Sequence, residues 1–180
     1  MRALIAALAL AACATPAASQ APSPLAPLAF LEGCWVGVFD GPNPARDERC
    51  YAWMHEGRQL RDTHEVIGAG YRGETIYAWD ADAQQIVATY FASDGGYMTG
   101  VAVEQGGALI MRDGRYVGAD GHVLALRSRW LRQGEGFVVE TEQQREAGGD
   151  WRPLMRITYM RAEWGVADRQ RKRPGASRAF

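Results

Sequence analysis

The chain has almost no net charge, few histidines and cysteines, and no long apolar run. Its 180 residues carry 20 Lys and Arg against 21 Asp and Glu, a formal net charge of −1. No field over the whole surface therefore attracts nucleic acid or acidic partners. No apolar run is long enough for a transmembrane helix, and no long helical period interrupts the chain. The three histidines, His55, His64 and His122, show no metal-ligand spacing, and two of them, His55 and His122, fall at turns. A Ser nucleophile elbow, a phosphate loop and a dinucleotide fingerprint are all missing. Asp80-x-Asp82 lacks the Gly and distal Glu of a calcium loop and is a turn by context. Neither a metal nor a cofactor is expected.

What the chain does have is 21 glycines and a repeating pattern of short alternating runs closed by Gly/Asp turns. The pattern predicts strands at 33–39, 48–55, 58–67, 71–80, 84–92, 96–104, 107–117, 121–132, 136–144 and 151–161. Such short sequential connections imply an up-and-down antiparallel meander, and closure into a barrel removes its edges. The expected fold is all-β, a closed barrel of about ten strands over residues 28–164. An outer-membrane barrel needs an apolar band facing lipid on every strand. Here one face of most strands is charged, as with Arg61 and Glu65, Arg127 and Arg129, or Glu140 and Glu142, so that alternative is rejected.

Both ends of the chain read as segments outside the barrel. Met1-Arg2 and an apolar stretch to Ala12 form an export signal over 1–12. Leu10-Ala11-Ala12-Cys13 looks like a bacterial lipobox, with Cys13 the lipidated first residue of the mature chain; the other reading is an ordinary cleaved signal. Residues 13–27 are then a linker, although Ser23–Leu31 suits a short helical turn. Residues 165–180 form a basic, disordered tail. Periplasmic location follows, either tethered to the outer membrane by the lipid or secreted, with the membrane touched only through that anchor.

Export gives meaning to Cys34 and Cys50, an even pair in an oxidising compartment. With 33–39 and 48–55 in one hairpin the two face each other, and a disulfide is favoured. That register puts Trp35 opposite Arg49; the following turn puts Trp53 opposite Leu60, Tyr51 opposite Asp62 and Arg49 opposite His64. One face thus holds Trp35, Arg49, Tyr51, Trp53, Leu60, Asp62, His64 and Val66, and its apolar members make it the interior. In the same phase come Thr75, Tyr77 and Trp79; Tyr97, Thr99 and Val101; Leu124, Leu126, Ser128 and Trp130; Phe137 and Val139; Met155, Ile157 and Tyr159.

The opening Gly33-x-Trp35-x-Gly37, led in by Leu25-Ala26-Pro27-Leu28-Ala29-Phe30-Leu31, resembles the first strand of the nitrobindin-like and lipocalin-like barrels of the calycin group. Past that strand the likeness is one of strand pattern. Resemblance to nitrobindins implies ferric haem on a His near the C-terminal strands. The stretch Trp151–Arg161 contains no His, so haem binding is not carried over.

An aromatic lumen with a small polar cluster has the composition of a small-molecule pocket. The expected ligand is apolar or amphiphilic, bound among Trp35, Arg49, Tyr51, Trp53, Asp62, His64, Tyr77, Trp79, Trp130 and Tyr159, its polar end oriented by Arg49, Tyr51 and His64, and with Arg49 as its partner if it is acidic. Two alternatives stand beside it. His64 and Asp62 could act as the acid-base pair of a small isomerase or hydrolase, or Trp35, Trp53, Trp79 and Trp130 could fill the lumen of a structural envelope protein.

Overall fold

The computed structural model describes residues 23–146 and 148–164. The signal segment 1–12, Cys13 and the basic tail 165–180 lie outside the described residues. Ten strands follow one another: β1 (Gly33–Phe39), β2 (Arg46–Met54), β3 (Gln59–Ile67), β4 (Tyr71–Asp80), β5 (Gln85–Ala92), β6 (Tyr97–Gln105), β7 (Ala108–Val117), β8 (Val123–Gln133), β9 (Gly136–Gln144) and β10 (Arg152–Arg161). Each pairs antiparallel with its chain neighbours, and β1 closes on β10, so the sheet is a closed ten-stranded barrel with no free edge. Among the described residues, the only helical pieces are short 3-10 turns at Ala26–Leu31 and His55–Gly57.

The register of the first three strands is the one that alternation demands. Cys34 faces Cys50 and Trp35 faces Arg49; Arg49 faces His64, Tyr51 faces Asp62 and Trp53 faces Leu60. Cys34 and Cys50 form a disulfide across β1 and β2. It closes a loop of about 15 residues in the unfolded chain, so the double substitution Cys34→Ala/Cys50→Ala should lower unfolding free energy by about 3 kcal/mol. Guanidinium unfolding reads this directly; an unchanged midpoint would mean that the bridge constrains nothing the ladder does not already hold.

The interior splits along the barrel axis. At the end where β1 begins and β10 stops, the 3-10 turn folds under the barrel and buries Leu25, Leu28 and Leu31 among Trp35, Tyr51, Phe137 and Tyr159. The Trp35 indole donates to the Leu31 carbonyl at 2.7 Å. The Phe137 ring stacks on Tyr159 at 4.8 Å and meets Trp35 edge-on at 4.8 Å. Leu25 is only 2% exposed, so the folded unit starts ahead of the expected boundary at residue 28. An Ala- and Pro-rich lead-in reads as a linker, yet its leucines at 25, 28 and 31 share one side of a three-residue turn.

A second correction concerns β6. Tyr97, Thr99 and Val101 were expected to face inward, but Tyr97 and Thr99 are exposed while Ala102 is buried and Met98 lines the interior. Apolar residues occupy both faces of this strand, and a register shift separates Thr99 from Val101, so period-2 alternation does not identify its inner side. The outer wall carries cross-strand ion pairs such as Arg61–Glu74 and Arg127–Glu142, each 2.6 Å. A face of that kind is not an apolar band for lipid.

Candidate functional site

Beyond the plug the barrel is hollow. A cavity of about 410 Å³ runs toward the opposite end, where Leu154 and Met155 are exposed. Its volume lies within the usual range for small-molecule pockets. One wall is apolar, with Met111, Leu124, Leu126, Val139, Met155 and Ile157 facing inward from β7 to β10. There the hydroxyls of Ser128 and Thr141 are bonded to each other at 2.9 Å.

The other wall, on β2 to β5, is polar. Alternation brings Asp47, Arg49, Asp62, His64 and Thr75 to its inner face. Asp47 is the hub: one carboxylate oxygen accepts from Nδ1 of His64 at 2.9 Å, the other from the Tyr159 hydroxyl at 2.7 Å. Nε of Arg49 lies 3.5 Å from Asp47 and 3.4 Å from Asp62. Nη1 of Arg49 donates to the Tyr51 hydroxyl at 3.3 Å, and Thr75 donates to Asp62 at 3.3 Å. Nε2 of His64 pairs with the Tyr90 hydroxyl at 3.1 Å, which donates to Tyr71 at 2.8 Å.

Two glycines make this network reachable. Gly37 faces Asp47 on one side and Tyr159 on the other, and a Cβ there would run into the Tyr159 ring and Ile157. With no side chain in the way, that ring lies across β1 to meet Asp47. Gly73 faces His64, and a Cβ there would strike the Tyr90 ring, so its absence lets Tyr90 reach the imidazole.

The two carboxylates titrate in opposite directions. Burial works to raise the Asp47 carboxyl, but Arg49 and the bonds from His64 and Tyr159 outweigh it and hold Asp47 below the usual carboxylate range. For Asp62 burial wins: its carboxyl is raised, with Asp47 adding to the shift and Arg49, His64 and Thr75 only opposing it. Burial also works to lower the Arg49 guanidinium, yet Asp62, Tyr159, Tyr51 and Asp47 together hold it firmly charged.

The expected residues divide between cavity and plug. Arg49, Asp62, His64, Tyr77 and Trp130 line the cavity, whereas its lining does not include Trp35, Tyr51, Trp53, Trp79 or Tyr159. Of these five, Trp35, Tyr51 and Tyr159 are buried in the core cluster, and Trp53 and Trp79 pack against it from partly buried positions. The four tryptophans therefore do not fill the lumen. The expected pairing of His64 with Asp62 is also corrected, because His64 takes Asp47 and Asp62 turns to Arg49 and Thr75. Residues two apart on one strand and diagonal neighbours across strands stand at similar distances, about 7 Å, so alternation fixes the face and side-chain rotation chooses the partner. The sequence pattern missed Asp47, Tyr71, Tyr90, Met98, Met111 and Tyr116. For Asp47 and Tyr90 a signal existed, one further step of alternation from Arg49 and the Ile86-x-Ala88-x-Tyr90 run.

Both ring nitrogens of His64 are engaged within the protein, so as it stands the imidazole presents no free nitrogen to a substrate. Among the described residues, no group of three His, Cys, Asp or Glu side chains is placed to hold a metal ion. No family model and no curated protein matches the chain; the closed ten-stranded antiparallel barrel is consistent with a calycin-like fold.

Proposed function

We propose that this chain is a lipocalin-like binding protein that holds a small amphiphilic molecule in its barrel. The observation that carries the proposal is the hollow half of the barrel: about 410 Å³, apolar along one wall and with a connected polar network along the other. Burial of the ligand's apolar body supplies affinity at roughly 25 cal/mol per Å², and the polar wall sets its orientation. The plug closes the far end, so the ligand enters and leaves by the mouth near Leu154. The Cys34–Cys50 disulfide supports the exported reading, since such bonds persist in oxidising compartments. Catalysis by His64 is the weaker alternative, because Tyr90 occupies the nitrogen that would take a proton.

The test uses N-phenyl-1-naphthylamine, an uncharged probe that fluoresces in apolar surroundings. It should bind saturably at one site per chain. Leu126→Trp, which places an indole in the hollow half, should weaken that binding at least about tenfold, the equivalent of 1.4 kcal/mol. Absence of saturable binding, or equal affinity in a folded Leu126→Trp variant, would overturn the proposal.

A further inference from the structure

Resting on that binding function, we infer that the ligand's polar end is cationic, an organic ammonium on an apolar body, and not the acid that Arg49 suggests when only the sequence is considered. The polar wall holds two carboxylates, Asp47 and Asp62, beside the guanidinium of Arg49 and the imidazole of His64; His64 and Tyr159 are committed to Asp47, which leaves Asp62 as the carboxylate with the fewest partners. Arg49 sits between the two, its Nε 3.5 Å from Asp47 and 3.4 Å from Asp62. Asp62 is less well matched. Its side chain is 1% exposed, its Oδ1 accepts no hydrogen bond from the protein, and its other oxygen receives only the Thr75 hydroxyl at 3.3 Å. With Asp62 protonated, Asp47 still neutralises Arg49. A carboxylate ligand would enter as an additional anion in a desolvated site, whereas an ammonium would pair with the ionised form of Asp62, whose proton leaves to solvent as the cation binds.

The mouth points the same way independently. Tyr71, Tyr90 and Tyr116 line the cavity, and tyrosine faces attract cations through the ring quadrupole. Burial is the largest cause raising the Tyr71 and Tyr116 hydroxyls, the bond from Tyr90 opposes it at Tyr71, and Asp94, in the turn between β5 and β6, adds to the raising of both. An approaching cation therefore meets these tyrosines first, then the Asp47–Arg49–Asp62 wall.

The experiment displaces N-phenyl-1-naphthylamine from the oxidised full-length chain with three ligands of one chain length, decylammonium, 1-decanol and decanoate, at pH 7.5 and low salt. Decylammonium should bind most tightly and decanoate least, with at least about tenfold between the two ions. Asp62→Asn should bring the two ions to within about threefold, and Asp94→Asn, an exposed change that leaves the core intact, should weaken decylammonium about twofold without affecting 1-decanol. Decanoate binding as tightly as decylammonium, or no ranking among the three, would overturn the cationic head while leaving the binding function standing. Failure of the probe itself to bind would remove the binding function underneath it.

Discussion

Asp47→Ala should lower the unfolding free energy by about 4 kcal/mol, the scale found when one member of a buried ion pair is removed. Two buried donors, Nδ1 of His64 and the Tyr159 hydroxyl, lose their acceptor together, and Arg49 loses one of its two flanking carboxylates. Each orphaned donor carries its own desolvation cost, and a typical domain has only about 5–15 kcal/mol in all. Asp47→Asn should recover part of the loss, because its amide oxygen still accepts one of the two side-chain bonds. Urea unfolding with the slope m held fixed reads both variants, and a cost under about 1 kcal/mol for Asp47→Ala would show that the hub contributes little.

The opposite shifts of Asp47 and Asp62 shape the pH dependence. Asp47, lowered in the folded state, contributes stability that is present above its unfolded value near 3.9 and is lost as pH falls through its folded value. Asp62, raised in the folded state, contributes stability that is fully present below that same unfolded value and is lost as pH rises through its folded value. Unfolding free energy should therefore climb out of the acid range as Asp47 ionises and then decline as Asp62 does. Asp47→Asn should flatten the acid limb, and Asp62→Asn the decline above it. Stability curves from pH 2 to 8 test the assignment, which fails if Asp47→Asn flattens the decline and Asp62→Asn the acid limb.

The fold was largely legible because short alternating runs separated by Gly/Asp turns leave few alternatives, and because two cysteines pinned the first hairpin. From that register the inner placement of Arg49, Asp62 and His64 followed. What stayed hidden lay one step beyond pattern. Asp47 sits in Pro44-Ala45-Arg46-Asp47-Glu48-Arg49, a run so polar that it reads as a solvated turn, although alternation from Arg49 continues through it. The partner of His64 was misassigned because a period of two identifies a face and says nothing of side-chain rotation. β6 is apolar on both sides, so its phase could not be read. Whether four tryptophans fill a barrel depends on the plug, and the plug's leucines were hidden in a segment with the composition of a linker.

That plug carries the second large effect. Leu28→Ala combined with Leu31→Ala should cost roughly 5 kcal/mol, since each fully buried leucine replaced by alanine costs about 2–5 kcal/mol in transfer and cavity terms. Both side chains are fully buried against the aromatic cluster, and the Trp35 indole is tied to the Leu31 carbonyl, so loosening the turn also frees Trp35. Val38→Ala on the exposed outer face of β1 is the control, expected within about 0.5 kcal/mol of the parent. Denaturant midpoints separate the outcomes. A double variant that loses less than about 2 kcal/mol would show the 3-10 turn to be an appendage, and the closed end would then depend on Trp35, Phe137 and Tyr159 alone. A large loss makes residues 25–31 part of the barrel's core, the floor beneath the cavity.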